Sequence, residues 1–105
     1  MITQEEILEA IRREVEDRKA YLDPKLTLVS LSQRCETNRT YVSSLLTAQL
    51  GGFFTYINRH RLAHAAVYKE QHPGASIDEI AKASGFRNRQ TYYNALHRLE
   101  ECDQL

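Results

Sequence analysis

Ser76-Ile-Asp-Glu-Ile-Ala-Lys-Ala-Ser-Gly-Phe-Arg-Asn-Arg-Gln-Thr-Tyr-Tyr-Asn-Ala-Leu96 reads as a short helix, a tight glycine turn and a second helix. Ser76 suits the N-cap of the first helix, and Glu79 three residues on completes a capping box. Ile77, Ile80 and Ala81 make one apolar stripe at helical spacing. Gly85 stands where the chain must reverse, which calls for a residue that tolerates positive φ. Phe86 supplies an anchor, Asn88 an N-cap, and Tyr92 and Leu96 a new apolar stripe. The spacing predicts a helix-turn-helix whose second helix turns Arg89, Gln90, Tyr93, Asn94 and His97 outward. Such groups suit base edges and phosphates better than catalysis.

The pattern occurs twice. In Thr27 to Leu46, Leu28, Leu31 and Ser32 take the places of Ile77, Ile80 and Ala81 at an offset of 49 residues. Asn38 is a good N-cap for the helix that follows. Val42, Leu45 and Leu46 give that helix its apolar face, while Arg39, Thr40, Ser43, Ser44 and Thr47 face away. Two copies are too few for a solenoid and fit two matched modules in one domain.

Between them, Phe53, Tyr56, Ile57, Leu62, Ala65, Ala66 and Tyr68 recur at three- and four-residue steps. This predicts a long helix, begun after Gly51-Gly52 and stopped before Pro73-Gly74. A rod of roughly 17 residues is about 25 Å long, and adjacent major-groove turns of B-DNA lie about 34 Å apart. A linker of that order is compatible with two recognition helices in successive grooves.

These residues resemble the DNA-binding domain of AraC/XylS-type bacterial transcription regulators. The second-module pattern Ile-x-x-Ile-Ala-x-x-x-Gly-Phe stands here as Ile77, Ile80, Ala81, Gly85 and Phe86. The aromatic and apolar positions of the last recognition helix fall on Tyr92 and Leu96. The linker signature is carried by Phe53, Tyr56, Ile57 and Arg61. In the first module Asn38 takes the usual Ser cap, with Tyr41-Val42-Ser43 and Leu45-Leu46 behind it. The likeness covers about residues 22–98. It departs from the family pattern in four places. The Gly51-Gly52 turn is one residue short, Glu36 replaces a turn glycine, Asn94 replaces a common base-reading Arg, and the usual closing helix is missing or replaced by Glu100 to Leu105.

At 105 residues the chain is expected to be a single domain. Its parts are an N-terminal helix within 1–24, a first helix-turn-helix over 25–50, a linker helix over 53–72, a second helix-turn-helix over 76–99 and a tail over 100–105. The N-terminal helix is expected over 4–21. Thr3 and Glu6 cap it, Ile7, Leu8, Ile11 and Val15 are its buried stripe, and Glu5, Glu9, Arg12, Arg13 and Glu16 face outward. That charged face is either solvated or a contact with another domain or subunit. Pro24 disfavours helix at Asp23.

Formal net charge is zero, which argues against a strongly electrostatic DNA binder. The distribution argues the other way. Residues 38–98 hold eight bases (Arg39, Arg59, Arg61, Lys69, Lys82, Arg87, Arg89, Arg98) and three acids (Glu70, Asp78, Glu79), net +5. Acidic excess lies at the two ends. The salt dependence of DNA binding is therefore expected to be shallow for a transcription regulator. No signal-peptide pattern or long apolar run is present, and two cysteines, Cys35 and Cys102, make no disulfide framework. Cys35 is expected in the core, and a reducing cytoplasm fits.

Other chemistry is weakly supported. His60 and His64 have metal-ligand spacing but no matching third ligand and no His-Glu-x-x-His motif. Ser43, Ser44 and His72 offer no nucleophile–base arrangement. Tyr92 and Tyr93 can stack on single-stranded nucleic acid, or divide into a core and an exposed ring. The expectation is an all-α DNA-binding domain that is not an enzyme and has no cofactor, metal or small-molecule site. Its partner is the major groove of double-stranded DNA. The resemblance implies a sensor or dimerisation domain elsewhere in a longer chain. Candidate DNA contacts are Asn38, Arg39, Thr40, Ser43, Ser44 and Thr47 in the first module. In the second they are Arg87, Asn88, Arg89, Gln90, Tyr93, Asn94, His97 and Arg98. The alternative is a helical protein-interaction module with the same fold and little DNA affinity.

Overall fold

The computed structural model describes residues 2–103, with side chains through Glu101. Six α-helices carry them: α1 (Gln4–Arg12), α2 (Leu28–Arg34), α3 (Arg39–Leu50), α4 (Phe53–Gln71), α5 (Ile77–Ala83) and α6 (Arg89–Asp103). Among the described residues there is no strand, so the all-α expectation holds at that level. None of these helices is long and apolar enough to cross a membrane.

The chain divides into two units. One comprises residues up to 20 together with 25–57, the other residues 21–24 together with those from 58 onward. In the first, α1 packs on α3 and α2 packs on α3. The Thr3 hydroxyl accepts from the Glu6 N–H at 3.1 Å, which caps α1. Ile7, Ala10 and Ile11 go inside. A π-helical turn over Arg13–Asp17 follows directly and buries Val15 and the side chain of Glu14. Arg18 donates to Glu14 at 3.1 Å, which compensates the buried carboxylate.

The expected single helix over 4–21 is corrected here: it ends at Asp17. Lys19 turns left-handed at φ 57°, and Ala20–Leu22 forms one 3-10 turn. No glycine or proline marks the stop, and the segment after it is held by tertiary bonds. Arg61 of α4 donates from Nε to the Tyr21 carbonyl at 2.6 Å and from Nη2 to the Asp23 carbonyl at 2.9 Å.

Two polar groups sit deep in the first unit. Burial pushes the Cys35 thiol above its ordinary range, the Glu14 carboxylate adds to this, and Arg13 opposes it. Cys35 is thus a protonated core side chain, as expected. The Tyr56 hydroxyl donates to Glu16 at 2.6 Å. Burial first, and then that hydrogen bond, hold the phenol protonated well above its usual range.

In the second unit α5 packs on α6. Leu62, Ala65, Ile80, Ala81, Phe86, Tyr92 and Ala95 form one core. Phe86 is its centre, 1% exposed, with the Tyr92 ring 5.4 Å away and the Arg61 guanidinium 5.9 Å from its ring centroid. Burying such a side chain contributes about 2–3 kcal/mol. Ala66, expected on the buried stripe of α4, is exposed. It lies one position past Ala65 and so about 100° round the helix from it. α6 runs on through Glu100 and Glu101, so the expected tail begins as helix. Its last residues lie outside the described ones.

Candidate nucleic-acid interface

The two helix pairs share three turn hydrogen bonds; in the second, the Ser84 N–H also donates to Ala81 O at 3.2 Å. In the first, Cys35 N–H donates to Leu31 O, Glu36 N–H to Gln33 O and Thr37 N–H to Ser32 O, at 3.0, 3.1 and 3.1 Å. In the second, Ser84 N–H donates to Ile80 O, Gly85 N–H to Lys82 O and Phe86 N–H to Ala81 O, at 3.2, 3.3 and 2.9 Å. Every donor and acceptor is displaced by the 49 residues read from the sequence. Burial follows the same register. Leu31 and Ser32 are buried with Leu28 half-buried, and Ile80 and Ala81 are buried with Ile77 half-buried.

Each pair makes its turn in the left-handed region, at Glu36 (φ 55°) and at Gly85 (φ 89°). Gly85 has no alternative. A Cβ there would fall on the Tyr21 carbonyl oxygen and 2.8 Å from Leu22 Cα. Glu36 is exposed and carries only the conformational cost, so the first turn holds a strained residue where the second holds glycine.

Beyond the turn the offset becomes 50, because Arg87 is inserted before the second cap. Asn38 Oδ1 accepts the Tyr41 N–H at 3.0 Å, and Asn88 Oδ1 accepts the Thr91 N–H at 2.9 Å. The Thr91 hydroxyl also donates to Asn88, at 3.0 Å. Both caps are exposed, and each leads into a helix whose first residue is an exposed arginine, Arg39 or Arg89. Free N–H groups at such an N-terminus, next to an arginine, suit an anion.

Thr40, Ser44 and Thr47 on α3 are exposed, as are Arg87, Asn88, Arg89, Gln90, Tyr93, Asn94, His97 and Arg98 in and around α6. Ser43 is the exception. It is half-buried beside Val42, so its hydroxyl is less available than expected. Tyr92 is buried and Tyr93 is 39% exposed, which resolves that pair into a core ring and a surface ring. His97 Nδ1 lies 3.8 Å from Glu100, so a carboxylate accompanies that ring. Gln90 Nε2 donates to Asn94 Oδ1 at 2.9 Å. By residue type Gln90 and Asn94 are two separate base contacts, and the i, i+4 spacing of two amides is the signal that links them.

Of the eight bases in 38–98, seven are exposed and Arg61 is held against carbonyls. His60 packs against the Tyr21 ring, and His64 Nδ1 lies 3.0 Å from Ser84 Oγ. Among the described residues no group of three His, Cys, Asp or Glu is arranged to hold a metal ion. Comparison with protein-family models, curated proteins and solved structures returned no match.

Proposed function

We propose that this chain binds duplex DNA in a sequence-specific manner, as the DNA-binding domain of a bacterial transcription regulator of the AraC/XylS type working in the cytoplasm. On this reading α2–α3 and α5–α6 are two helix-turn-helix modules, α4 is their linker, and α3 and α6 enter the major groove. The observation that carries it is the repeated turn. Two hydrogen-bonded turns of one design each lead into an asparagine-capped helix that opens with an arginine. Duplicating a turn this closely, with polar and cationic residues outside both times, is what a double reading head needs.

Arg39, Arg87, Arg89 and Arg98 supply phosphate contacts, and both helix N-termini add to them. Gln90 is the best base reader, since its amide can bond N7 and N6 of adenine together. Thr40 and Ser44 are short and read ambiguously, so the second module carries more discrimination. A sensor or dimerisation domain elsewhere in a longer chain completes the regulator.

A second reading, a helical protein-interaction module, draws on the zero net charge and on a largely apolar groove lined by Leu62, Ala63, Ala66, Leu96 and Leu99 with Arg59. Titration against random duplex at several salt concentrations separates the two. DNA binding that weakens with salt supports the first. No binding at low salt supports the second.

A further inference from the structure

The Gln90–Asn94 bond decides which base α6 can read. We propose that Asn94 is a positioning residue for Gln90, and that the linked amides select adenine; this rests on the DNA reading above. A glutamine side chain presents both a donor and an acceptor and rotates freely in water, so on its own it is an ambiguous reader. Here the direction of the bond removes the ambiguity. Gln90 donates one N–H to Asn94 Oδ1 at 2.9 Å. Its carbonyl oxygen and second N–H remain for a partner. Adenine offers N6–H to a carbonyl and N7 to an N–H, which is the complementary edge. With the bond reversed, one lone pair of the Gln90 carbonyl would be engaged and both Gln90 N–H groups would face outward. That arrangement suits the two acceptors of guanine instead.

Both residues are exposed and one helical turn apart on α6, so the link spans adjacent positions on one face. The places matching Gln90 and Asn94 in the first pair are Thr40 and Ser44, whose short hydroxyls provide no such amide pair. The asymmetry between the two helices therefore lies in a device and not only in side-chain length.

The test is selection of duplex sites from a random library, followed by affinities for the selected site and for each single base-pair change. Variants are Gln90→Ala, Asn94→Ala, Asn94→Asp and the double alanine, each checked for helix content by circular dichroism. The wild-type site is expected to contain one adenine whose preference disappears in Gln90→Ala. Asn94→Ala should keep that base but reduce its discrimination about three- to tenfold, and the double variant should lose nothing further at that position. Asn94→Asp can only accept, so it should keep the adenine preference within about twofold while weakening all sequences by charge repulsion. A change at some other base position in Asn94→Ala would make Asn94 an independent reader and overturn the proposal. So would unchanged discrimination in Asn94→Ala, or a lost adenine in Asn94→Asp. Failure of the wild-type chain to bind any duplex at low salt would instead overturn the DNA reading itself.

Discussion

Glu36 and Gly85 occupy the same left-handed position in two turns 49 residues apart, at φ 55° and 89°. What differs is what surrounds them. Gly85 lies against the backbone of Tyr21 and Leu22, and Glu36 is open to solvent. Gly85→Ala should therefore cost about 2–4 kcal/mol, combining strain with a backbone clash. Glu36→Gly should leave stability unchanged or raise it by up to about 1 kcal/mol, since relief of strain offsets the added freedom of the unfolded chain. Urea denaturation of both variants checks this. Similar losses at the two positions would contradict it.

Arg61 ties the 21–24 segment to α4 within the second unit through two carbonyls and lies over Phe86. Arg61→Ala leaves both acceptors without their charged donor and should cost about 2–4 kcal/mol. Arg61→Lys keeps the charge without the planar fork and should recover less than about half of that. Full recovery by lysine would mean that charge alone holds the segment.

Tyr56 gives a pH signature. Its folded phenol titrates above the unfolded value, by burial and by its bond to Glu16. The native state thus holds a proton that the unfolded chain releases above about pH 10. The resulting stability is complete below that pH and is lost as pH rises further. At pH 8 the wild type should exceed Tyr56→Phe by about 1 kcal/mol. That lead should shrink between about pH 10 and 11, as read by denaturant unfolding at each pH. A constant lead would show that the phenol is not protected.

Caps, apolar stripes and the Gly-Phe pair made α5, the turn and the start of α6 legible, because each is a local rule acting within a few residues. The 49-residue offset was legible too, and the hydrogen bonds of the turn reproduce it. The stop at Asp17 was not. No local breaker marks it, and the segment beyond it is held by a side chain 40 positions away, Arg61, which donates to the Tyr21 carbonyl. Glu14 was missed for a related reason. It lies seven residues after Ile7, on the same helical face, but a charged side chain reads as solvent-facing, and only Arg18 reaching back to it accounts for its burial. On the candidate interface, exposure followed the helical period except at Ser43, which flanks the buried Val42. The Gln90–Asn94 link lay in an i, i+4 spacing that reading by residue type alone overlooked.

The two helices should contribute unequally to base choice. Gln90→Ala should cost about 1–3 kcal/mol of discrimination at one base pair, the usual worth of a bidentate contact. Ser44→Ala, with a short hydroxyl, and Ser43→Ala, half-buried, should each cost less than about 1 kcal/mol. Affinities for single base-pair variants of the selected site measure this. A site defined mainly under α3 would reverse the assignment.

Duplex DNA binding is tested most directly by a salt titration. Four arginines, Arg39, Arg87, Arg89 and Arg98, neutralising one phosphate each, predict a log–log slope of about −3.6. Arg87→Ala and Arg89→Ala should each make it shallower by about 0.9, for specific and random sequences alike. No duplex binding at low salt, or a slope near zero that neither substitution changes, would contradict the account.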